Sequence, residues 1–477
     1  MTLGIVVVYM AVLLGVSWLA ALFQRGKSSE AFLLADKQLP WPLVGVMIAG
    51  LAIGGASTIG VAENAYESGL SAGWYNVAWA LGPILVGFFL AARVRMTNQK
   101  TVSQMLGSVF GPSFELLAAG VQVVINTVII ALQIIAGGAI LSVILPNVFT
   151  ETTGIIFSAV MFAAVAVMGG LLAAGLSNVV NMLVIYLGVV LGVVYLLHVN
   201  GGAAGLQALL PAGISGDGSH WFSFVKGMPA AVIIAWCVTM TLQCLPNTGI
   251  MQNFIAARTP ADARRGAFFG AAIMIPCGFL SAIFGIACRA HFPDLANTAA
   301  ALPTMVMTLP PILSGLLLAG LWAADISTAT GLLVGVSTIC TEDVIFKYLV
   351  SDKNRRHRLV ITRLVVLLVV LVATLAALRL SGILSTIMVA LALYAPYTIL
   401  LTALYLFPGA LRRSSGWLTF LFGAVALVVV QWVQPAWRLF DQAIYSVLLF
   451  SLLGFCLALL DRRPVATENL YVNKEVE

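Results

Sequence analysis

The stretch GLAIGGASTIG, residues 50–60, lies inside an apolar segment near 41–67 that is long enough to cross a lipid bilayer. Four of its eleven residues are glycines, which are weak helix formers. A helix in lipid has to satisfy its own backbone hydrogen bonds, because no water is available there to do so. The stretch therefore predicts an interrupted membrane helix, whose freed backbone groups face a site within the bilayer.

The composition is typical of a polytopic membrane protein. Of the 477 residues, 61% are hydrophobic and 9% are charged, whereas roughly 25% of the residues of a soluble globular protein are charged. The formal net charge is +6, but the basic residues occur in short clusters between apolar runs. This pattern indicates orientation in a membrane, so we expect the lipid bilayer as a partner and no nucleic acid.

Apolar runs of roughly 20 residues or more indicate membrane-spanning helices. They predict an all-α polytopic membrane protein with thirteen transmembrane helices. These are expected near residues 3–23, 41–67, 73–92, 115–145, 152–173, 177–199, 226–256, 265–289, 310–343, 359–378, 382–406, 416–434 and 441–460.

The distribution of Lys and Arg predicts the orientation, because cytoplasmic loops carry the excess of basic residues. With thirteen spans and the N-terminus outside, twenty of the 24 Lys and Arg residues fall in inner segments. The outer segments hold only Lys226, Arg289, Arg379 and Arg438. We expect a multi-pass protein of the cell (inner or plasma) membrane with its N-terminus outside and its C-terminus in the cytoplasm.

A second apolar segment is also interrupted, at WCVTMTLQCLPNTGIMQN, residues 236–253. Interrupted segments at corresponding positions of two halves are typical of inverted-repeat transporters with a binding site at the bilayer midplane. The predicted division is an N-terminal extra helix and inner loop (1–40), a first five-helix repeat (41–199), an outer loop (200–225), a second five-helix repeat (226–406), and two extra helices with a cytoplasmic tail (407–477). The alternative is that these Gly and Pro residues serve only close packing between helices.

The segment LWAADISTATGLLVGVSTICTED, residues 321–343, carries hydroxyl groups within an apolar helix. Ser327 and Thr328 lie one turn beyond Ala324, so two hydroxyls and a carbonyl share one helix face. Hard oxygen atoms of this kind suit a sodium ion, and carbonyls freed in the first interrupted helix could supply the remaining ligands. The alternative is that both hydroxyls bond back to carbonyls of their own helix.

These motifs together resemble the sodium:solute symporter family, which includes sugar, proline, pantothenate, sialic acid and iodide transporters. The resemblance extends over nearly the whole chain, through GLAIGGASTIGVAENAYESGL (50–70), GGLLAAGLSNVVN (169–181), AARTPADARRG (256–266) and AADISTATGLLVGVSTICTEDV (323–344). It implies a LeuT-like fold with a 5+5 inverted repeat, one extra N-terminal helix and two extra C-terminal helices. It also implies a sodium-coupled secondary active symporter, not an enzyme, that imports a small organic solute by alternating access.

The resemblance implies a site for a single coupling sodium ion. Its ligands would be the carbonyls of Gly50, Ile53 and Ala324 and the hydroxyls of Ser327 and Thr328.

Two positions depart from the family pattern and bear on coupling. Asn178 stands where some members carry an Asp that is implicated in a second sodium ion or in coupling. Asp325 places a carboxylate beside the sodium site, where members mostly have an apolar residue. An ionisable residue within the membrane is a functional hypothesis by default. Asp325 could be a charged neighbour of the cation, a proton carrier or an anchor for a cationic solute, or it could be a neutral or hydrogen-bonded carboxyl that faces Asn178 or Asn181.

In this fold the solute lies beside the unwound stretches, and eight residues are the candidates for binding it. They are Ala52, Gly54 and Ser57 in the first interrupted helix, Gln243 and Asn247 in the second, Gln122 and Asn126 on the long third core helix, and Trp236, which could close the cavity. For each polar residue the alternative is a structural hydrogen bond between helices. No Lys or Arg lies in the middle of a core span, so we expect a neutral or zwitterionic small organic solute.

Other function classes fit the sequence less well. A passive channel would need a ring of charges or a repeated filter sequence, and an enzyme within the membrane would need a nucleophile with a base or metal ligands. The four histidines lie in loops or at helix ends. The alternatives that stay open are a symporter-like membrane sensor and a proton-coupled transporter that uses Asp325.

Overall fold

A computed structural model describes residues 37–96, 101–168, 171–213, 216–349, 355–380 and 382–465, with a few isolated positions before residue 37. Most of the predicted helix near 3–23, and the tail after residue 465, lie outside the described residues.

The described chain is almost entirely helical. The helices of the first half are α1 (Trp41–Ala52), α2 (Gly55–Ser68), α3 (Trp74–Phe89), α4 (Ala91–Arg95), α5 (Val102–Phe110), α6 (Pro112–Ile144), α7 (Glu151–Met168), α8 (Leu171–Val199) and α9 (Gly202–Leu209). Those of the second half are α10 (Ala230–Cys244), α11 (Thr248–Ala256), α12 (Pro260–His291), α13 (Ala301–Met307), α14 (Pro311–Thr338), α15 (Arg355–Ala377), α16 (Ile383–Ala392), α17 (Tyr394–Leu406), α18 (Ser415–Val428) and α19 (Ala443–Ala458).

The number of membrane spans differs from the prediction. Within the described ranges, seven helical runs are long and apolar enough to cross a membrane, or nine if each of two bent helix pairs counts as one span. The predicted count of thirteen is not confirmed. One reason is that α1, with 12 residues, and α19, with 16, are too short to qualify by themselves. Another is that the first predicted span is largely outside the described residues.

The interruption predicted at GLAIGGASTIG is confirmed. Helix α1 ends at Ala52 and α2 begins at Gly55, and the two residues between them have non-helical backbone angles. Ile53 has φ −88° and ψ 83°, and Gly54 has φ −135° and ψ −157°. The chain thus leaves the helix for two residues and then starts it again.

The second interruption is also confirmed, and a third bend was not predicted. Helices α10 and α11 meet at 52°, and the Asn247 side chain caps α11 by accepting a hydrogen bond from the Ile250 N–H at 3.1 Å. The segment 382–406 was expected to be one helix, but α16 and α17 meet at 44°. Pro396 explains the bend, because a proline ring clashes with the carbonyl four residues earlier, here that of Ala392, where α16 ends.

The long helices pack into two groups that meet at the first interruption. In one group α12 packs against α1, α2 and α3, and α10 packs against α3. In the other, α6, α7, α14 and α15 pack against one another. Helix α14 continues beyond Thr338 as a π-helix, Ile339–Leu349, so that the run from Pro311 has 39 residues. Because α1 contacts α14 and α2 contacts both α6 and α14, the break between α1 and α2 faces the second group.

Close approach of backbones holds the first group together. A Cβ atom added at Gly285 of α12 would lie 2.2 Å from the Ala62 carbonyl oxygen of α2 and 2.9 Å from the Ala65 Cβ. The contact is to backbone, which cannot move aside as a flexible side chain could. Only glycine therefore fits at this crossing.

We expect Gly285→Ala to destabilise the fold by about 1–3 kcal/mol, because the added methyl group forces α12 away from α2. Thermal unfolding of the purified protein in detergent would measure this as a lower midpoint. The matched control is Gly120→Ala on α6, since Gly120 is exposed and an added Cβ there meets nothing within 4 Å. Equal midpoints for the two variants would contradict the packing argument.

Candidate functional site

The first interruption frees a backbone carbonyl that a distant helix then reaches. In a continuous helix the Gly54 N–H would bond to the Gly50 carbonyl, but here it bonds to Ser57 Oγ at 3.0 Å and to the Ala52 carbonyl at 3.2 Å. The hydroxyl of Thr328 on α14 donates to the Gly50 carbonyl instead, at 3.0 Å. The structure thus brings together two of the predicted sodium ligands that lie 278 residues apart in the sequence.

The other predicted sodium ligands lie on the same two elements. Ser327 donates its hydroxyl to the Ala324 carbonyl at 2.9 Å, within α14. Ile53 lies at the break itself, and its N–H bonds to the Ala49 carbonyl at 2.7 Å. The carbonyl end of a helix carries partial negative charge, so the end of α1 favours a cation at this position.

The side chain of Gln133 on α6 also reaches the break, a contact that was not predicted from the sequence. Its Oε1 accepts the hydrogen bond of the Gly55 N–H at 2.8 Å, which pairs the first backbone donor of α2. A signal was available in the sequence, because Gln122, Asn126 and Gln133 follow one another at spacings of four and seven residues. These spacings put all three side chains on one helix face.

Asp325 faces this break and not the asparagines of α8. Its Oδ1 lies 3.0 Å from the position that a Cβ of Gly55 would take. Asn178 packs against Gly50 instead, and Asn181 donates to the Ala323 carbonyl at 3.4 Å. Neither carboxyl oxygen of Asp325 has a hydrogen-bond partner among the described residues. The expected alternative of a carboxyl hydrogen-bonded to Asn178 or Asn181 is therefore wrong.

Helix α6 also supplies hydrogen-bond partners for the second interruption. The side-chain amide of Gln122 donates to the Pro246 carbonyl at 3.2 Å, and its Oε1 accepts from the Thr248 hydroxyl at 2.8 Å. Asn126, one turn further on, accepts a hydrogen bond from the Tyr394 hydroxyl at 3.3 Å. Gln122 thus faces the second interruption, and Asn126 faces the start of α17. Their partners Thr248 and Tyr394 were not predicted from the sequence.

The remaining candidate solute residues lie in two different surroundings. Ser57 is fully buried and bonds to the N–H and the carbonyl of Gly54, so it caps α2 locally. Ala52 and Gly54 are buried at the break. Gln243 is fully buried, and its amide lies 3.0 Å from the Met240 sulfur.

Trp236 lines a cavity of about 660 Å³. The Trp236 ring packs edge-on against Tyr75 at 5.8 Å, and Thr239, one turn further along α10, also lines the cavity. The lining includes residues of predicted outer segments, among them Arg438 and Asp441. The cavity therefore reaches from the second interrupted helix toward the predicted outer surface.

Polar contacts join the helices at the predicted inner side. Asp343, at the inner end of the α14 run, accepts hydrogen bonds from Ser103 at 2.6 Å and from Thr101 at 3.0 Å. Lys347 forms an ion pair with Glu115 of α6 at 2.6 Å. These contacts hold α5, α6 and α14 together on the side opposite the cavity.

Comparison with known proteins extends these observations. Residues 32–413 match the sodium:solute symporter family. The sodium/glucose cotransporter of Vibrio parahaemolyticus is 24% identical over 410 residues, which cover 79% of this chain and 74% of that protein. The high-affinity proline transporter of Bacillus subtilis is 23% identical over 372 residues, which cover 74% of this chain and 76% of that protein. Some animal relatives are longer, and the chain spans 55% to 60% of their length.

A solved structure shares the fold. A Na⁺-coupled sialic acid symporter, in a substrate-bound outward-open state, aligns with a TM-score of 0.79 over 98% of both chains, at 17% sequence identity. This likeness supports the helical transporter fold. At such low identity it carries no information about the solute.

Proposed function

This chain belongs to the sodium:solute symporter family, and we propose that it imports one small organic solute together with one sodium ion bound between α1 and α14. It is a sodium-coupled secondary active symporter that works by alternating access, and it is not an enzyme. The number of ions, the ligand set, the class of solute and the orientation in the membrane are the proposed parts.

The main support for the proposed sodium site is the contact between Thr328 Oγ1 and the Gly50 carbonyl. A carbonyl freed by a helix break, a hydroxyl from a facing helix and the negative end of a helix dipole together favour a small cation. The carbonyls of Ile53 and Ala324 and the hydroxyl of Ser327 complete the proposed ligand set. An ion there would replace the hydrogen bond as the link between α1 and α14.

The same position explains how binding is coupled. Helix α1 belongs to one packed group and α14 to the other, so an ion between them favours one arrangement of the two groups. If that arrangement also forms the solute site, sodium and solute increase each other's affinity by the same factor. The membrane potential adds roughly 2.3 kcal/mol for each ion that moves inward across 100 mV.

The proposed solute site lies between the two interruptions. We assign it to Ala52, Gly54, Ser57, Gln122, Asn126, Trp236, Gln243 and Asn247. The adjoining cavity of about 660 Å³ falls within the range of roughly 300–1,000 Å³ that is usual for small-molecule sites. None of these eight residues is charged, which favours a neutral or zwitterionic solute, and the glucose and proline named for two relatives belong to these classes.

We expect Thr328→Val to abolish sodium-driven uptake into proteoliposomes, because valine keeps the shape of threonine but removes the hydroxyl. Thr328→Ser should retain sodium dependence, since the oxygen remains. The matched control on the same helix is Thr338→Ala, whose hydroxyl bonds only to the Val334 carbonyl of its own helix at 2.8 Å. Sodium-driven uptake that survives both Thr328→Val and Ser327→Ala would exclude this sodium site. Uptake that a pH gradient alone can drive would favour the proton-coupled alternative.

We expect Gln122→Leu to raise the apparent KM for the solute at least tenfold while sodium binding persists, because the amide joins α6 to the second interruption. The solute is first identified by thermal-shift screening of D-glucose, L-proline, pantothenate and N-acetylneuraminic acid, each with and without sodium. Sodium-dependent stabilisation by a neutral or zwitterionic compound would support the proposed class. Stabilisation only by the anions would contradict it.

We propose that Lys226 faces the outside and Arg258 the cytoplasm. A membrane-impermeant maleimide should label Lys226→Cys in intact cells, whereas Arg258→Cys should be labelled only after permeabilisation. Arg258 suits the test because its side chain is 57% exposed. The unsubstituted chain, which has six cysteines, is the background control. The reverse labelling pattern would invert the proposed topology.

A further inference from the structure

The carboxyl group of Asp325 is buried and unpaired. The residue is 1% exposed, and neither of its oxygens accepts a hydrogen bond from any described residue. None of the ion pairs within the described ranges includes it. A carboxylate without a partner in a low-dielectric interior is unfavourable by several kcal/mol, so the Asp325 carboxyl is either protonated and neutral or compensated by a bound positive charge.

Asp325 is directed at a specific point of the first interruption. The Cβ position of Gly55 is 3.0 Å from Asp325 Oδ1 and 3.0 Å from Gln133 Oε1. The Cβ position of Gly54 is 2.9 Å from Thr328 Oγ1 and 3.0 Å from the same Gln133 oxygen. Three oxygen atoms from two helices therefore surround a pair of glycines whose missing side chains leave room for them.

Backbone groups pair with Gln133 and Thr328 but leave the Asp325 carboxyl without a hydrogen bond of its own. The Gly55 N–H bonds to Gln133, and the Ser57 N–H bonds to the Gly54 carbonyl at 3.2 Å. The N-terminus of α2 contributes the equivalent of only about half a positive charge, which is less than a carboxylate requires. A full positive charge at this point would meet one carboxylate, one amide oxygen and one hydroxyl, all of them hard ligands.

We propose that Asp325, Gln133 and Thr328 form a second monovalent-cation position, which adjoins the sodium ion assigned above and shares Thr328 with it. Asp325 lies three residues before Thr328 on α14, so both side chains project from the same face. The occupant is either a second sodium ion or the ammonium group of a zwitterionic solute, which share the required charge. The inference rests on the proposed function, because it assumes that Thr328 also serves the first ion.

Binding of radioactive sodium to the purified full chain in lipid nanodiscs tests the proposal. With sodium as the occupant, the wild type binds two ions per chain and Asp325→Asn binds one. Asp325→Glu keeps the charge and should retain the second ion with weaker affinity, which separates loss of charge from misfolding. The matched control is Thr330→Val, a buried threonine of the same helix whose hydroxyl has no partner among the described residues and which should bind as the wild type does.

A thermal-shift measurement with methylammonium tests whether the occupant is an ammonium group. In that case the wild type binds one sodium ion, and methylammonium chloride raises its thermal midpoint relative to choline chloride, an effect that Asp325→Asn abolishes. One sodium ion per chain that persists in Asp325→Asn, without any methylammonium effect, overturns this inference alone. A wild type that binds no sodium at all overturns the proposed function and this inference with it.

Discussion

The structure depends on one constraint, which is that backbone polar groups inside a bilayer need partners other than water. The break between α1 and α2 leaves the Gly50 carbonyl and the Gly55 N–H without helical partners. Thr328 of α14 takes the first and Gln133 of α6 takes the second. The break is therefore stable where these two helices cross it, and the same requirement places both helices at the candidate site.

The second interruption obeys the same rule, and α6 serves both. Gln122 bonds to Pro246 and Thr248 at the second break, and Gln133 bonds to Gly55 at the first. The two glutamines are eleven residues apart, or about 16 Å along the helix axis. A single long helix thus spans the distance between the two breaks. This places α6 beside both the proposed sodium ion and the proposed solute.

Polar contacts join the helices at the predicted inner side, whereas a cavity opens toward the predicted outer side. At the predicted inner side Asp343 bonds to the start of α5, and Lys347 pairs with Glu115. At the predicted outer side a cavity extends from α10 to the segment that contains Arg438. Alternating access requires that one side be closed while the other is open, and the inner contacts are the ones that would have to break for release of the solute into the cell.

The sequence by itself determined the membrane class, the two interrupted helices and the family, because apolar run length, glycine and proline positions and short motifs are local properties. It also selected Gly50 and Thr328, which the structure brings into contact. It did not predict the bend at Pro396, since a proline within a continuous apolar segment does not by itself show that the helix bends. It also did not reveal Gln133 as a partner of Gly55. Only the tertiary structure decided that Asp325 faces Gly55 and not Asn178. The choice depends on how α14 is rotated against α2 and α8, and that rotation is set by packing across the whole helix and not by the residues beside the carboxylate.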